Sequence, residues 1–146
     1  MPVAVDTNVL LPVMRGDAAS AEILVPFLDR FIQSVGLVIR GPVYAELAAA
    51  PGVQVETLDR FLAAGAIAVE LALGRDVWLR AAVSYRSYAE RRLASGSGWP
   101  RRILADFLIG AHAELHADLL LTYNADDFGR MFPDLEIVVP PRAGSS

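Results

Sequence analysis

Cysteine and lysine are both missing from this 146-residue sequence, and each absence removes a set of functions. Without cysteine there can be no disulfide, thiolate zinc site, iron–sulfur cluster or cysteine nucleophile. All 13 basic residues are arginine, which excludes P-loop nucleotide binding, Schiff-base chemistry and receiver-type phosphorylation, because each requires a lysine. The lack of disulfides fits a reducing compartment, and we expect a cytoplasmic protein.

Long apolar segments are also missing. No stretch without a charged residue is longer than Phe31–Ile39, whereas a membrane-spanning helix needs about twenty apolar residues. The sequence begins with the strand-like segment Met1–Val5 and has no basic residues before it, so a signal peptide is not expected. We therefore expect no membrane association.

The composition predicts one folded domain. Hydrophobic residues make up 54% of the chain and charged residues 21%, which is typical of a protein with a real core. We expect a single domain over residues 1–139 and a disordered tail over 140–146. The formal net charge of −4 does not favour nucleic-acid binding, because affinity for phosphates comes chiefly from cationic side chains.

Short β-branched segments alternate with longer helical patterns. Strands are predicted at Val3–Val5, Leu37–Ile39, Ala66–Val69, Leu119–Thr122 and Glu136–Val139. Helices are predicted at Asn8–Met14, Ala18–Ser34, Gly41–Ala50, Glu56–Ala64, Arg75–Ala94 and Arg101–His116. Pro26 predicts a kink or a break in the second helix, and Ser95–Pro100 reads as a flexible loop. Such alternation predicts an α/β fold in which helices cover both faces of a parallel sheet.

Two acidic residues stand next to the first two predicted strands. Asp6 directly follows Val3–Val5, and ligands of open parallel sheets bind beyond such strand ends. The alternative is that Asp6 only caps the following helix, since aspartate is a favoured helix cap. Glu46 lies in the helix after the second strand, where it is either a site residue or a solvated surface residue.

A third carboxylate, Asp106, interrupts the apolar run Ile103–Ala111. Burying such a charge is costly unless it is paired or bound to a cation. The alternative is an exposed helix stripe at four-residue spacing, in which an Arg102–Asp106 ion pair would contribute little. That stripe would consist of Arg102, Asp106, Gly110 and Glu114.

Polar residues also follow the fourth predicted strand. The strand ends at Thr122, and Asn124, Asp126 and Asp127 come soon after. Taken alone, these residues indicate only a turn, because asparagine and aspartate favour turns. Together with the three earlier acids, it places polar groups after several strands of one sheet.

Crowded carboxylates repel one another, and a bound cation relieves that repulsion. Oxygen ligands without cysteine or a suitably placed histidine select Mg²⁺ or Mn²⁺ rather than zinc. Such an ion would hold a phosphate, activate a water and reverse the local negative field. The residues therefore indicate a metal-dependent phosphodiesterase. Two alternatives stay open, namely a catalytically inactive binding scaffold and a metal-dependent phosphatase acting on small molecules.

The sequence resembles the PIN-domain nucleases, and particularly the VapC-type toxins, over Val3 to about Val139. Four segments carry the resemblance: Val5–Leu10, Tyr44–Leu47, Leu104–Ala111 and Leu121–Phe128. The resemblance implies a compact three-layer α/β/α sandwich with a short central parallel sheet. It also implies a Mg²⁺-dependent endoribonuclease.

The resemblance assigns roles to individual residues. Asp6 and Asp106 match the usual metal ligands, and Glu46 matches the acid that acts through a water. Thr7 matches the hydroxyl residue beside the site, and Thr122 the one at the end of the fourth strand. Asn124 replaces the fourth acid of the family pattern, with Asp127 three residues further on. A neutral amide attracts a cation less than a carboxylate does, so binding of a second metal should be weaker.

The resemblance further implies a homodimer and an antitoxin partner whose C-terminal segment lies across the active-site groove. The RNA backbone is expected to meet arginines around the glycine-containing loop, although solvated helix ends explain the same residues equally well. These arginines are Arg91, Arg92, Arg101 and Arg102. Trp78, Tyr85 and Tyr88 are expected in the core or at the dimer interface.

Overall fold

A computed structural model describes residues 1–98 and 104–143. Five parallel strands form one sheet in the order β3-β2-β1-β4-β5. The strands are β1 (Val3–Val5), β2 (Leu37–Arg40), β3 (Ile67–Glu70), β4 (Leu120–Leu121) and β5 (Ile137–Val138). The helices within the described residues are α1 (Thr7–Met14), α2 (Ala18–Ser34), α3 (Gly41–Ala49), α4 (Val55–Ala64), α5 (Arg75–Ala94), α6 (Leu104–His116) and α7 (Ala125–Met131). The predicted three-layer α/β/α class is confirmed.

The centre of the sheet consists of short, fully apolar strands. Every residue of β1 and β4 is buried, as expected for strands that helices cover on both faces. β3 lies at one edge and exposes Ala68–Glu70. Since β1 lies between β2 and β4, the residues that follow these three strands come to one edge of the sheet.

Pro26 does not break α2, so a break at this position is wrong. The helix runs from Ala18 to Ser34 with Pro26 inside it. Leu24 and Leu28 are buried on either side of the proline, whereas Pro26 itself is exposed. Packing of the two leucines holds the helix together, because tertiary burial contributes more than intrinsic propensity to most helices.

The residues after β4 indicated a turn in the sequence, but the structure has the short helix α7 there. It spans only seven residues, Ala125–Met131, with Asn124 at its N-cap position. Phe128 and Met131 are buried, and this burial stabilises a helix too short to persist alone. Asp126 and Asp127 are therefore held on a helix, and Asn124 directly precedes it.

Close packing of α6 excludes the alternative of an exposed stripe through Gly110. All residues from Phe107 to Ala113 are buried. A Cβ on Gly110 would lie 2.3 Å from Cε2 of Phe132. Asp106 stands just before this buried stretch and is half-buried.

Within the described ranges, no helix is long and apolar enough to cross a membrane.

Candidate active site

Asp6 lies at the carboxyl end of β1 and is only 6% exposed. Its backbone N–H donates to the carbonyl of Leu121 at 2.9 Å, which fixes it beside the end of β4. One carboxylate oxygen accepts from the Thr7 N–H and the other from the Thr122 hydroxyl, both at 2.7 Å. Asp6 therefore caps α1 and also stands at the sheet edge where ligands bind, so the two interpretations are compatible.

Burial raises the pKa of Asp6, although the hydrogen bonds from Thr122 and Thr7 oppose this effect. A carboxylate in this state is ionised at a cost, because it has left bulk water without gaining a full counter-charge. A divalent cation would remove that cost, so this position suits a metal ligand.

Glu46 reaches the same region from α3. Its Oε1 accepts the Thr7 hydroxyl at 3.0 Å. Burial raises the pKa of Glu46, the Thr7 hydrogen bond lowers it, and the negative charges of Asp6 and Asp106 raise it further. These charge effects show that Glu46 on α3 lies within electrostatic reach of both Asp6, which directly follows β1, and Asp106 on α6.

Asp106 lies in the first turn of α6. The three carboxylates supply only oxygen donors, a set that matches the preference of Mg²⁺ and Mn²⁺. In the described part of the chain, no three acidic or histidine side chains already stand close enough to form a metal site. The donor chemistry therefore fits a hard divalent cation, although the three carboxylates stand further apart than the ligands of one ion do.

Thr122 organises the second half of the candidate site. It is fully buried, and besides donating to Asp6 its Oγ1 accepts the N–H of Asn124 at 3.0 Å. Asn124 is exposed, while Asp127 is half-buried in the first turn of α7. Both line a cavity of about 440 Å³, so the structure brings these two predicted residues together, and Thr122 links Asn124 to Asp6.

The structure adds Asn8, which sequence reasoning did not single out. Its Oδ1 accepts the N–H of Tyr123 at 3.3 Å and so ties the start of α1 to the segment after β4. The signal was available, because Asn8 belongs to the Val5–Leu10 segment that carries the family resemblance.

Two of the four predicted substrate-binding arginines fall within the described residues. Arg91 and Arg92 line a cleft of about 740 Å³ together with Asp127 and Arg130. Arg130 was not predicted, because nothing in its local sequence relates it to the end of α5. Arg101 and Arg102 lie outside the described residues.

The aromatic residues of α5 separate into two groups. Tyr85 and Tyr88 are half-buried and pack their rings against the buried Phe107, with centroids 5.1 and 5.6 Å away, so both lie at the margin of the core. Trp78 is 49% exposed and faces outward.

No protein-family model matches the sequence, and neither does any curated protein. Solved structures do match it. The structure of VapBC-1 from nontypeable Haemophilus influenzae aligns over 95% of this chain and 98% of the matched chain, with 25% identity and a TM-score of 0.64. A toxin–antitoxin complex from Klebsiella pneumoniae aligns over 96% and 98%, with 20% identity and a TM-score of 0.64.

A third structure, VapBC2 from Rickettsia felis bound to a DNA fragment from their promoter, aligns over 97% of this chain and 100% of the matched chain. Its identity is 18% and its TM-score 0.63. At these identities the shared property is the fold. The chain therefore has the PIN-like fold that the resemblance to VapC-type toxins implied.

Proposed function

We propose that this protein is a Mg²⁺-dependent endoribonuclease and the toxin of a VapBC-type toxin–antitoxin pair. The observation that carries the proposal is that the half-buried Glu46 lies within charge range of both Asp6 and Asp106: burial raises the pKa of Glu46, and the two aspartate charges raise it further. The likeness in fold to solved toxin–antitoxin complexes supports the same conclusion.

Asp6 and Asp106 would hold the cation, with Mn²⁺ as a substitute. When bound, Mg²⁺ supplies positive charge at the phosphate and acidifies water. Thr122 orients Asp6 through its hydroxyl, and Thr7 orients Glu46 in the same way. These two hydrogen bonds keep the carboxylates in place before any ligand arrives.

Glu46 is the general base in this proposal. Its raised pKa makes it a stronger proton acceptor than an exposed glutamate. It takes a proton from the attacking water, whose oxygen bonds to phosphorus in line with the leaving oxygen. The bond from phosphorus to the leaving oxygen breaks, and that oxygen takes up a proton from solvent. Asn124 and Asp127 stand at the rim, where a neutral amide next to one carboxylate gives weak support for a second cation.

Cleavage of labelled RNA by Asp6→Asn and Asp106→Asn variants tests the proposal. Each variant should lose metal-dependent cleavage and keep its circular dichroism spectrum. Asp134→Asn changes an exposed carboxylate in the α7–β5 connection and serves as the matched control. Cleavage at the wild-type rate by either of the first two variants would show that the assignment is wrong.

A catalytically inactive scaffold is the second candidate. Asn124 in place of an acid and the open arrangement of the carboxylates favour it. Isothermal titration with Mg²⁺ or Mn²⁺ separates the two functions. Binding at millimolar metal supports the nuclease, and no binding supports the scaffold.

The proposal includes an antitoxin and a homodimer. Expression without the antitoxin should arrest growth, and Asp6→Asn should relieve the arrest. For the dimer, α5 offers exposed apolar side chains on its outer surface, namely Trp78, Leu79 and Val83. Exposed apolar patches of this kind are typical of protein interfaces.

A further inference from the structure

The end of α5 and the end of α7 enclose a positively charged cleft of about 740 Å³. Its charged lining consists of three arginines and one carboxylate, and Tyr88 and Met131 supply apolar wall. The arginines are Arg91, Arg92 and Arg130. The chain has a net charge of −4, whereas the lining of this cleft is positively charged. A local positive charge of this kind attracts polyanions.

A buried hydrogen bond joins the two helices that form the cleft. Ser84 on α5 is buried and donates its hydroxyl proton to the carbonyl of Met131 at 2.8 Å. Arg91 and Arg92 lie in the last turn of α5, and Arg130 lies in the last turn of α7. Helix dipoles explain why arginine is favourable at each helix end. They do not explain why two separate helix ends converge on one cleft.

The cleft adjoins the Asn124–Asp127 side of the candidate active site. A neighbouring cavity of about 440 Å³ shares Asp127 and Arg130 with it and extends to Asn124. Asn124 in turn is bonded to Thr122, which contacts Asp6. A ligand in the cleft therefore reaches the side of the candidate site that Asn124 and Asp127 form.

We propose that this cleft binds backbone phosphates of single-stranded RNA next to the bond that is cut, with Arg91 and Arg130 as the phosphate-binding residues. This inference rests on the proposed nuclease function and deepens it. Guanidinium groups bind phosphate oxygens through paired hydrogen bonds. A basic groove with an aromatic wall is the usual form of sequence-independent single-strand binding.

Fluorescence anisotropy of a labelled 12-nucleotide RNA in EDTA measures binding without cleavage. Arg91→Ala/Arg130→Ala should raise Kd by about tenfold or more, and Arg130→Lys should recover part of the affinity. The slope of log K against log salt should shrink by about 0.7 for each phosphate that the variant no longer neutralises. Arg86→Ala removes an exposed arginine of α5 that lies outside the cleft and should leave Kd unchanged.

Wild-type Kd and salt slope in the double variant would overturn the proposal, and so would an equal loss of affinity in Arg86→Ala. Retained RNA affinity with weakened binding of the partner protein would assign the cleft to the antitoxin instead and equally overturn it. Failure of the nuclease assignment has a different signature. In that case Asp6→Asn cleaves RNA normally, whatever the arginine variants do.

Discussion

Thr122 donates its hydroxyl proton to Oδ2 of Asp6 at 2.7 Å, although 116 positions separate the two residues in the sequence. Both side chains are buried, and they follow the neighbouring strands β4 and β1. Thr122 also accepts the N–H of Asn124. One hydroxyl therefore orients the first candidate metal ligand and the start of α7 together.

Replacing Thr122 with valine should reduce both stability and cleavage. The change leaves a buried carboxylate oxygen without its donor, at a cost of about 2 kcal/mol in the free energy of unfolding. Urea denaturation measures the stability, and Thr122→Ser, which keeps the hydroxyl, is the control. Equal stability of the valine and serine variants would mean that the hydrogen bond contributes nothing.

The stability conferred by Glu46 should fall as pH rises. Burial and the charges of Asp6 and Asp106 raise its pKa above the ordinary value of 4.5. Between these two values the native state binds more protons than the unfolded state, so the free energy of unfolding decreases with increasing pH. In the Glu46→Gln variant the free energy of unfolding no longer falls with pH through this group, and the amide oxygen still accepts the hydrogen bond from the Thr7 hydroxyl. Its stability advantage over wild type should grow from pH 4 to pH 7 in denaturant titrations.

A constant difference between the Glu46→Gln variant and wild type over this pH range would contradict the expectation. Millimolar Mg²⁺ at pH 7 provides an internal check. If the carboxylates bind the ion, the addition should stabilise wild type more than the variant, because binding to the native state alone favours folding.

His112 should have the opposite pH dependence. It is 1% exposed, and burial, followed by the charges of Arg40 and His116, lowers its pKa to about 3. Between pH 6.5 and 3 the unfolded state binds the proton and the native state does not, so stability is lost as the pH falls. Going from pH 7 to 4.5, wild type should lose about 2.5 kcal/mol more than His112→Leu. Parallel acid-unfolding curves would show that His112 is not the group responsible.

Gly110→Ala should destabilise the protein. The added methyl group would lie 2.3 Å from the ring of Phe132, which is fully buried and has little room to move. Overpacking of this kind costs about 1–3 kcal/mol. Gly129→Ala on α7 is the control, because its Cβ meets nothing within 4 Å and alanine favours helix by about 1 kcal/mol. In thermal or urea unfolding, Gly110→Ala should lower the free energy of unfolding and Gly129→Ala should raise it. A change in the same direction for both variants would refute the packing argument.

Val83→Glu should weaken the proposed homodimer without unfolding the monomer. Val83 is 60% exposed on α5, so the charge is harmless in a monomer and costly when a second copy covers it. Sedimentation velocity measures the change. A wild-type protein that stays monomeric at high concentration, or an unchanged dimer in the variant, would place the interface elsewhere or exclude it.

Most of the helices and strands follow from local sequence patterns. The apolar segment Val3–Val5 and the long helix Arg75–Ala94 were predicted with the bounds that the structure shows. α7 was missed because two buried side chains, Phe128 and Met131, stabilise it through contacts that a local window does not contain. The break predicted at Pro26 was wrong for the same reason, because the neighbouring buried leucines hold α2 together.

By itself, the sequence determined the α/β class, and it excluded the functions that require a cysteine or a lysine. It also placed carboxylates after predicted strands. These results depend on composition and on the spacing of hydrophobic residues, which are local properties of the chain. Only the tertiary structure decided that Thr122 donates a hydrogen bond to Asp6 and that the ring of Phe132 packs against Gly110. It also decided that Arg130 and Arg91 line the same cleft. These relationships depend on strand order and helix packing, which bring together residues that are far apart along the chain.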